Sequence, residues 1–201
     1  MMIYTLPEMI RTLGRLLVKL TIALTTIIFL SATCVSYSVQ ASDYQSNYEK
    51  IPAVNKMPPR VANWAYTPTI VVCEYAPITD VQIQSAIAFW KNLGHRFFIS
   101  QYNYDPHNKC NDPNPDRYIV IHLVADGIEM ETSSLAETRF FVNNDTNKIE
   151  WAKIYMREDI RETVLEHELG HALGYLHYNK NKHLMNSKWT QGGWETDGLR
   201  K

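Results

Sequence analysis

The stretch His167-Glu168-Leu169-Gly170-His171-Ala172-Leu173-Gly174-Tyr175-Leu176-His177 contains three of the chain's seven histidines, and the rest of the sequence is read outward from it. His167 and His171 are four apart, so on a helix they leave the same face one turn from each other. Two imidazoles so placed can grip one metal ion, and Glu168 lies where a carboxylate can reach a water on that ion. Gly174 can adopt a positive φ, ending the helix and turning the chain back. His177 can then supply a third ligand from outside the helix. A lone histidine on a helix is best read as a hydrogen-bonded core residue. Three histidines, a glutamate and a glycine at these spacings are not.

The donor set points to a catalytic ion. A catalytic zinc typically keeps three protein ligands and leaves its fourth tetrahedral position to water. Neutral imidazoles leave the ion's double charge intact, which lowers the pKa of bound water and polarises a carbonyl. Structural zinc sites are closed by four ligands and are often rich in cysteine, and no cysteine stands near this run. Glu168 is the expected general base, taking a proton from water and passing it to the leaving amine.

The extended motif resembles that of the metzincin zinc peptidases. Met185 lies eight residues beyond His177, a spacing similar to that of matrixins, the matrix-metalloprotease-like branch. The resemblance implies His167, His171 and His177 as ligands of one catalytic Zn2+, Glu168 as general base, and Met185 as the Met-turn residue beneath the metal. Without the upstream motif, Met185 would read as an ordinary core methionine. The implied fold is α+β, a zincin-like catalytic domain with a twisted, mixed five-stranded sheet packed on two long helices. The implied activity is zinc-dependent endopeptidase hydrolysis, with zinc-activated water as nucleophile and a protein or peptide as substrate. The family lays its substrate antiparallel to an edge strand, and Ser134–Thr138, with Leu135 and Ala136, resembles that segment.

Three features depart from the family pattern. Residues 42–63 contain no cysteine to block the zinc in a zymogen, so latency by that route is not expected. Asn186-Ser187 replaces the family's Tyr-Pro, altering the wall beside the specificity pocket. Only fourteen residues follow Ser187, so a short or missing closing helix is expected, with Trp189 and Trp194 covering the core instead.

An apolar content of 45% and a charged content of 20% fit a globular chain. The net charge of −1 and the absence of a basic run give no indication of nucleic-acid binding. Arg11, Arg15 and Lys19 precede the apolar stretch Leu20–Leu30, and Val39-Gln40-Ala41 follows, the pattern of a signal peptide over 1–41. A start at Met9 would give a more usual charged region. The rival readings are an uncleaved anchor, for which the stretch is short, and a lipoprotein acylated at Cys34. Export leaves Cys73 and Cys110 as a candidate disulfide, the alternative being two free buried thiols. The expected product is an exported, monomeric protein without a stable membrane span.

Residues 42–63 read as a mobile lead segment, wrapped over the surface or partly disordered, and 64–201 as the peptidase-like domain. Within it, strands are expected at Thr69–Cys73, Phe97–Ile99, Tyr118–Val124, Thr138–Val142 and Ile149–Met156. Tyr118–Val124 is apolar enough to lie centrally. Asp80 is expected to cap a first helix through about Leu93, and Asp159, with Glu162, the helix carrying the motif. The order β-α-β-β-β-α is that of the matrixin domain. His122 reads as a hydrogen-bonded core residue, and His95 and His183 as loop histidines. Asp105, His107, Asp112 and Asp116 suggest a second cation site, but no motif supports structural Ca2+ and a solvated loop is preferred. The catalytic fold without turnover, as a zinc-containing binding protein, is the alternative from another class. Hydrolysis of cell-wall peptides is the alternative reaction.

Overall fold

The computed structural model describes residues 57–100, 104–105, 107–124, 130 and 133–201. All belong to one compact unit within Tyr37–Lys201. The signal-peptide reading falls outside the described residues, as does the lead segment up to residue 56. No helix among the described residues is long and apolar enough to cross a membrane.

Among the described residues, six strands and two α-helices follow one another along the chain. They are β1 (Asn63–Trp64), β2 (Thr69–Val72), α1 (Asp80–Asn92), β3 (Phe98–Ile99), β4 (Tyr118–Leu123), β5 (Ala136–Asn143), β6 (Lys148–Met156) and α2 (Val164–Ala172). The sheet is mostly parallel: β2 pairs with β3 and β4, and β4 pairs with β6. β5 alone is antiparallel, pairing with β6 at the sheet edge. The sixth strand, absent from the sequence reading, is the two-residue β1, which pairs with the start of β6. The α+β class holds, and β4 is central as its largely apolar run, Tyr118–Ile121, requires.

One core lies between the sheet and the helices. Ile70, Ile119, Ile121, Ile154 and Met156 meet Ile83, Ile87 and Trp90 of α1 and Leu165 and Leu169 of α2, all buried. A bulge between Phe141 and Val142 shifts the register, so Ile149 and Ala152, three apart on β6, both face this core. The Trp90 indole N–H donates to the Glu166 carbonyl, tying α1 to α2.

Three local expectations are corrected. Thr79, not Asp80, caps α1: Thr79 and Gln82 form a reciprocal capping box. Asp159 does not cap α2, because Thr163 adopts a left-handed conformation (φ 70°) and the helix begins only at Val164. The segment before it continues from β6, with the Arg157 side chain donating to the Ser134 carbonyl and its amide to that of Leu135. α2 is therefore a nine-residue helix, not a long one. The third correction concerns the lead segment, whose last residues are built into the domain. Pro58 and Ala62 are buried, and Val61 N–H donates to the Gly174 carbonyl.

The chain closes with a single 3-10 turn, Trp189–Gln191. Trp189 and Trp194 remain 42% and 48% exposed, so they do not cap the core as expected. Leu199, fully buried, does so, its carbonyl taking hydrogen bonds from the Tyr175 hydroxyl and His95. Cys73 and Cys110 form the expected disulfide, with Cα atoms 5.8 Å apart. It ties the loop before β4 to the end of β2.

Candidate metal centre

α2 presents His167 and His171 from one face, and its C-terminus places everything that follows. Tyr175 N–H donates to the Gly170 carbonyl and Gly174 N–H to that of His171, a complete Schellman turn. Gly174 has φ +95°, and a Cβ there would lie 2.4 Å from the Ala62 carbonyl oxygen, so glycine is required twice over. The turn aims the Tyr175 carbonyl at His171 Nδ1, 2.7 Å away. It also brings His177 back over the helix.

The three Nε2 atoms converge. His171 Nε2 lies 2.9 Å from that of His167 and 3.1 Å from that of His177. One ligand atom from each ring falls within 4.8 Å of the others, the only such metal-ready group among the described residues. His167 Nδ1 lies 2.7 Å from the Leu184 carbonyl. A carbonyl only accepts, so His167 and His171 carry their protons on Nδ1 and turn unprotonated Nε2 lone pairs towards one another.

Burial lowers the His167 pKa to about 4 and that of His177 to about 3, and drives His171 well below the ordinary value. At neutral pH the rings are uncharged. Converging lone pairs without a proton between them are repulsive, and a cation relieves this. Zinc at 2.0–2.1 Å from each nitrogen implies tetrahedral nitrogen separations of about 3.3 Å. The residues present fit such an ion closely. The backbone carbonyls on Nδ1 are the outer partners that hold metal-ligating imidazoles in place.

Glu168 is buried at 6% exposure. Its Oε2 accepts a 2.5 Å hydrogen bond from the Thr138 hydroxyl of β5. Burial pushes the carboxyl up to about 7, against the opposing pull of that hydrogen bond. A nearby cation would draw it down again.

Met185 is fully buried beneath α2, and a Cβ on Gly170 would come within 2.5 Å of its sulfur. Its loop is locked on both sides. Tyr178 N–H donates to the Met185 carbonyl, and Met185 N–H donates to His183 Nδ1. His183, read from sequence as a loop histidine, is thus a buried strut whose Nε2 donates to the Asp197 carbonyl. Where the family has Tyr-Pro, Ser187 bonds the Asn179 side chain and Asn186 bonds the Lys180 carbonyl.

Leu135 and Ala136 lie where β5 begins, with Ala136 opposite Met156 and the Leu135 carbonyl accepting from Arg157 N–H. The other side of β5 has no strand partner among the described residues. Two residues along the same strand, Thr138 touches Glu168, so β5 packs against α2 at the residue beside His167.

Sequence reasoning missed four contributors. Thr138 left one signal, a polar residue on the otherwise apolar inward face of its strand. His183 left none. Arg60 and Trp64 donate to the carbonyls of Leu173 and Ala172, which a helix end leaves unsatisfied. The Arg60 guanidinium also lies over the Tyr175 ring.

The second-cation group does not assemble. Both carboxylate oxygens of Asp105 accept amides, from Lys109 and Cys110, and Asp112 pairs with the Lys109 ammonium. His122 is a correction: its Nε2 is buried with no hydrogen-bond partner, and the ring stacks on Tyr155. In sequence comparisons no family model and no curated protein matches the chain.

Proposed function

We propose that this protein is an exported zinc-dependent endopeptidase resembling the matrixin branch of the metzincins. The convergence of three Nε2 atoms, those of His167 and His171 unprotonated, beside a buried glutamate carries this reading. His167, His171 and His177 are the ligands. A zinc ion held there would acidify water and polarise a peptide carbonyl.

The remaining roles belong to the chain itself. Glu168 takes the proton and returns it to the leaving amine, its carboxylate held beside the ligand face of α2 by the Thr138 hydroxyl. The side of β5 that has no strand partner among the described residues would offer backbone groups to an extended peptide, giving affinity without demanding a side-chain sequence. The buried Met185 supports α2 from below and keeps its ligand face fixed. Export accords with the N-terminal pattern and with the Cys73–Cys110 disulfide.

The test is digestion of a denatured protein mixture and of cell-wall peptides, with and without a zinc chelator. Chelator-sensitive cleavage of the protein mixture is expected. Cleavage of cell-wall peptides alone would change the substrate class, and no cleavage of either would leave a zinc-binding protein without turnover.

A further inference from the structure

The β5 register gives Glu168 a partner that the motif does not contain. Inward positions of β5 alternate as Ala136, Thr138, Phe140 and Val142, and Thr138 is the one hydroxyl among them. It is 5% exposed and pairs with Ile154 of β6, so the sheet, not a loop, fixes its place. Its Oγ1 lies 2.5 Å from Glu168 Oε2 and 3.2 Å from the Glu168 carbonyl oxygen. No other described residue bonds the carboxylate. The terminal torsion of a glutamate side chain is broad, so its rotamer alone does not set the carboxylate plane. A short bond to an ionised oxygen does.

We propose that Thr138 is a positioning residue for Glu168: its hydroxyl ties down Oε2 and leaves Oε1 as the oxygen that handles the proton. The inference rests on the peptidase reading above. The contact persists in both forms of the carboxyl. When the carboxylate is ionised, the hydroxyl donates to Oε2. When the carboxyl is protonated on Oε1, Oε2 becomes its carbonyl oxygen and goes on accepting the hydroxyl proton. Serine can reproduce both arrangements, and valine, of the same shape, neither.

The experiment compares zinc-loaded Thr138→Val and Thr138→Ser with the parent, measuring zinc content, kcat and KM on a fluorogenic peptide, and crystal structures. Thr138→Val should keep one zinc per chain and a KM within about two-fold of the parent. Its kcat should fall roughly 10–100-fold, as is typical when an outer partner is lost. The Glu168 carboxylate should be rotated in its crystal structure. Thr138→Ser should recover most of the loss and the parental orientation. Parental kcat in Thr138→Val, equal losses in both variants, or loss of zinc with activity would overturn the proposal. If Thr138→Val does not fold, Thr138→Ala against Thr138→Ser makes the same comparison. A parent without peptidase activity would sink the functional reading alone, and the carboxylate orientation in the crystals would still decide the role of Thr138.

Discussion

Nε2 of His171 lies 2.9 Å from Nε2 of His167, and both rings carry their protons on the far nitrogen, against backbone carbonyls. Two lone pairs that close repel unless a cation lies between them, so the site stores a demand for metal in its hydrogen bonding. Chelation should therefore destabilise the fold. Metal at a thousand times its Kd stabilises by about 4 kcal/mol, equivalent to roughly 10 °C in Tm for a domain of this size. Scanning calorimetry with and without chelator checks this, and an unchanged Tm would contradict it.

Gly170 is packed against the Met185 sulfur and the Trp90 ring. Alanine is the better helix former by about 1 kcal/mol. Gly170→Ala should nevertheless destabilise, by about 1–3 kcal/mol, because its methyl overpacks this contact. Urea denaturation reads the sign directly, and a stabilised variant would refute the packing argument. Met185→Ala in the same chain should relieve part of the cost.

The Cys73–Cys110 disulfide closes a loop with a sequence separation of 37. The chain-entropy relation gives about 4 kcal/mol for a loop of that length. A Cys73→Ala, Cys110→Ala chain should show a correspondingly lower urea midpoint at unchanged zinc content. Loss of zinc in that double variant would mean that the bridge supports the site, not only the fold.

His122 sets a pH dependence of stability. Burial, aided by Lys153, lowers its pKa to about 4 in the folded protein, against about 6.5 when unfolded. Below pH 6.5 the unfolded ring takes up a proton that the folded ring refuses, so stability falls from about pH 6.5 to about pH 4 and then levels. His122→Phe removes this loss. The gap between variant and parent should widen in the variant's favour from pH 7 to 4.5, as measured by urea midpoints. A gap constant across that range would contradict the assignment.

The parts legible in the sequence were those whose cause is local. The i, i+4 histidines, the turning glycine and the apolar run of β4 each state their role within a few residues. The helix starts were less so. Thr79 and Asp80 compete as caps for α1, and only Thr79 has a glutamine three residues on, a signal present but unread. For α2, Asp159 and Glu162 form a plausible cap, yet Arg157, bonded to the Ser134 carbonyl just after β6, and the Trp189 indole, donating to the Glu162 carbonyl, hold that segment out of the helix. Arg60 and Trp64 serve carbonyls more than a hundred residues away, which no local pattern announces. Thr138 needed the register of β5 against α2 before its partner could be seen.

In the proposed mechanism the three histidines hold the metal and Glu168 moves the proton, a division of labour that separates metal binding from turnover. The most direct measurement is zinc content and peptide hydrolysis of Glu168→Ala beside the parent, with His171→Ala as the metal-free reference. Glu168→Ala should hold one zinc per chain and lose nearly all hydrolysis, by roughly 10²–10⁴-fold or more, while His171→Ala loses both. Parental hydrolysis by zinc-loaded Glu168→Ala, or a full complement of zinc in His171→Ala, would contradict it.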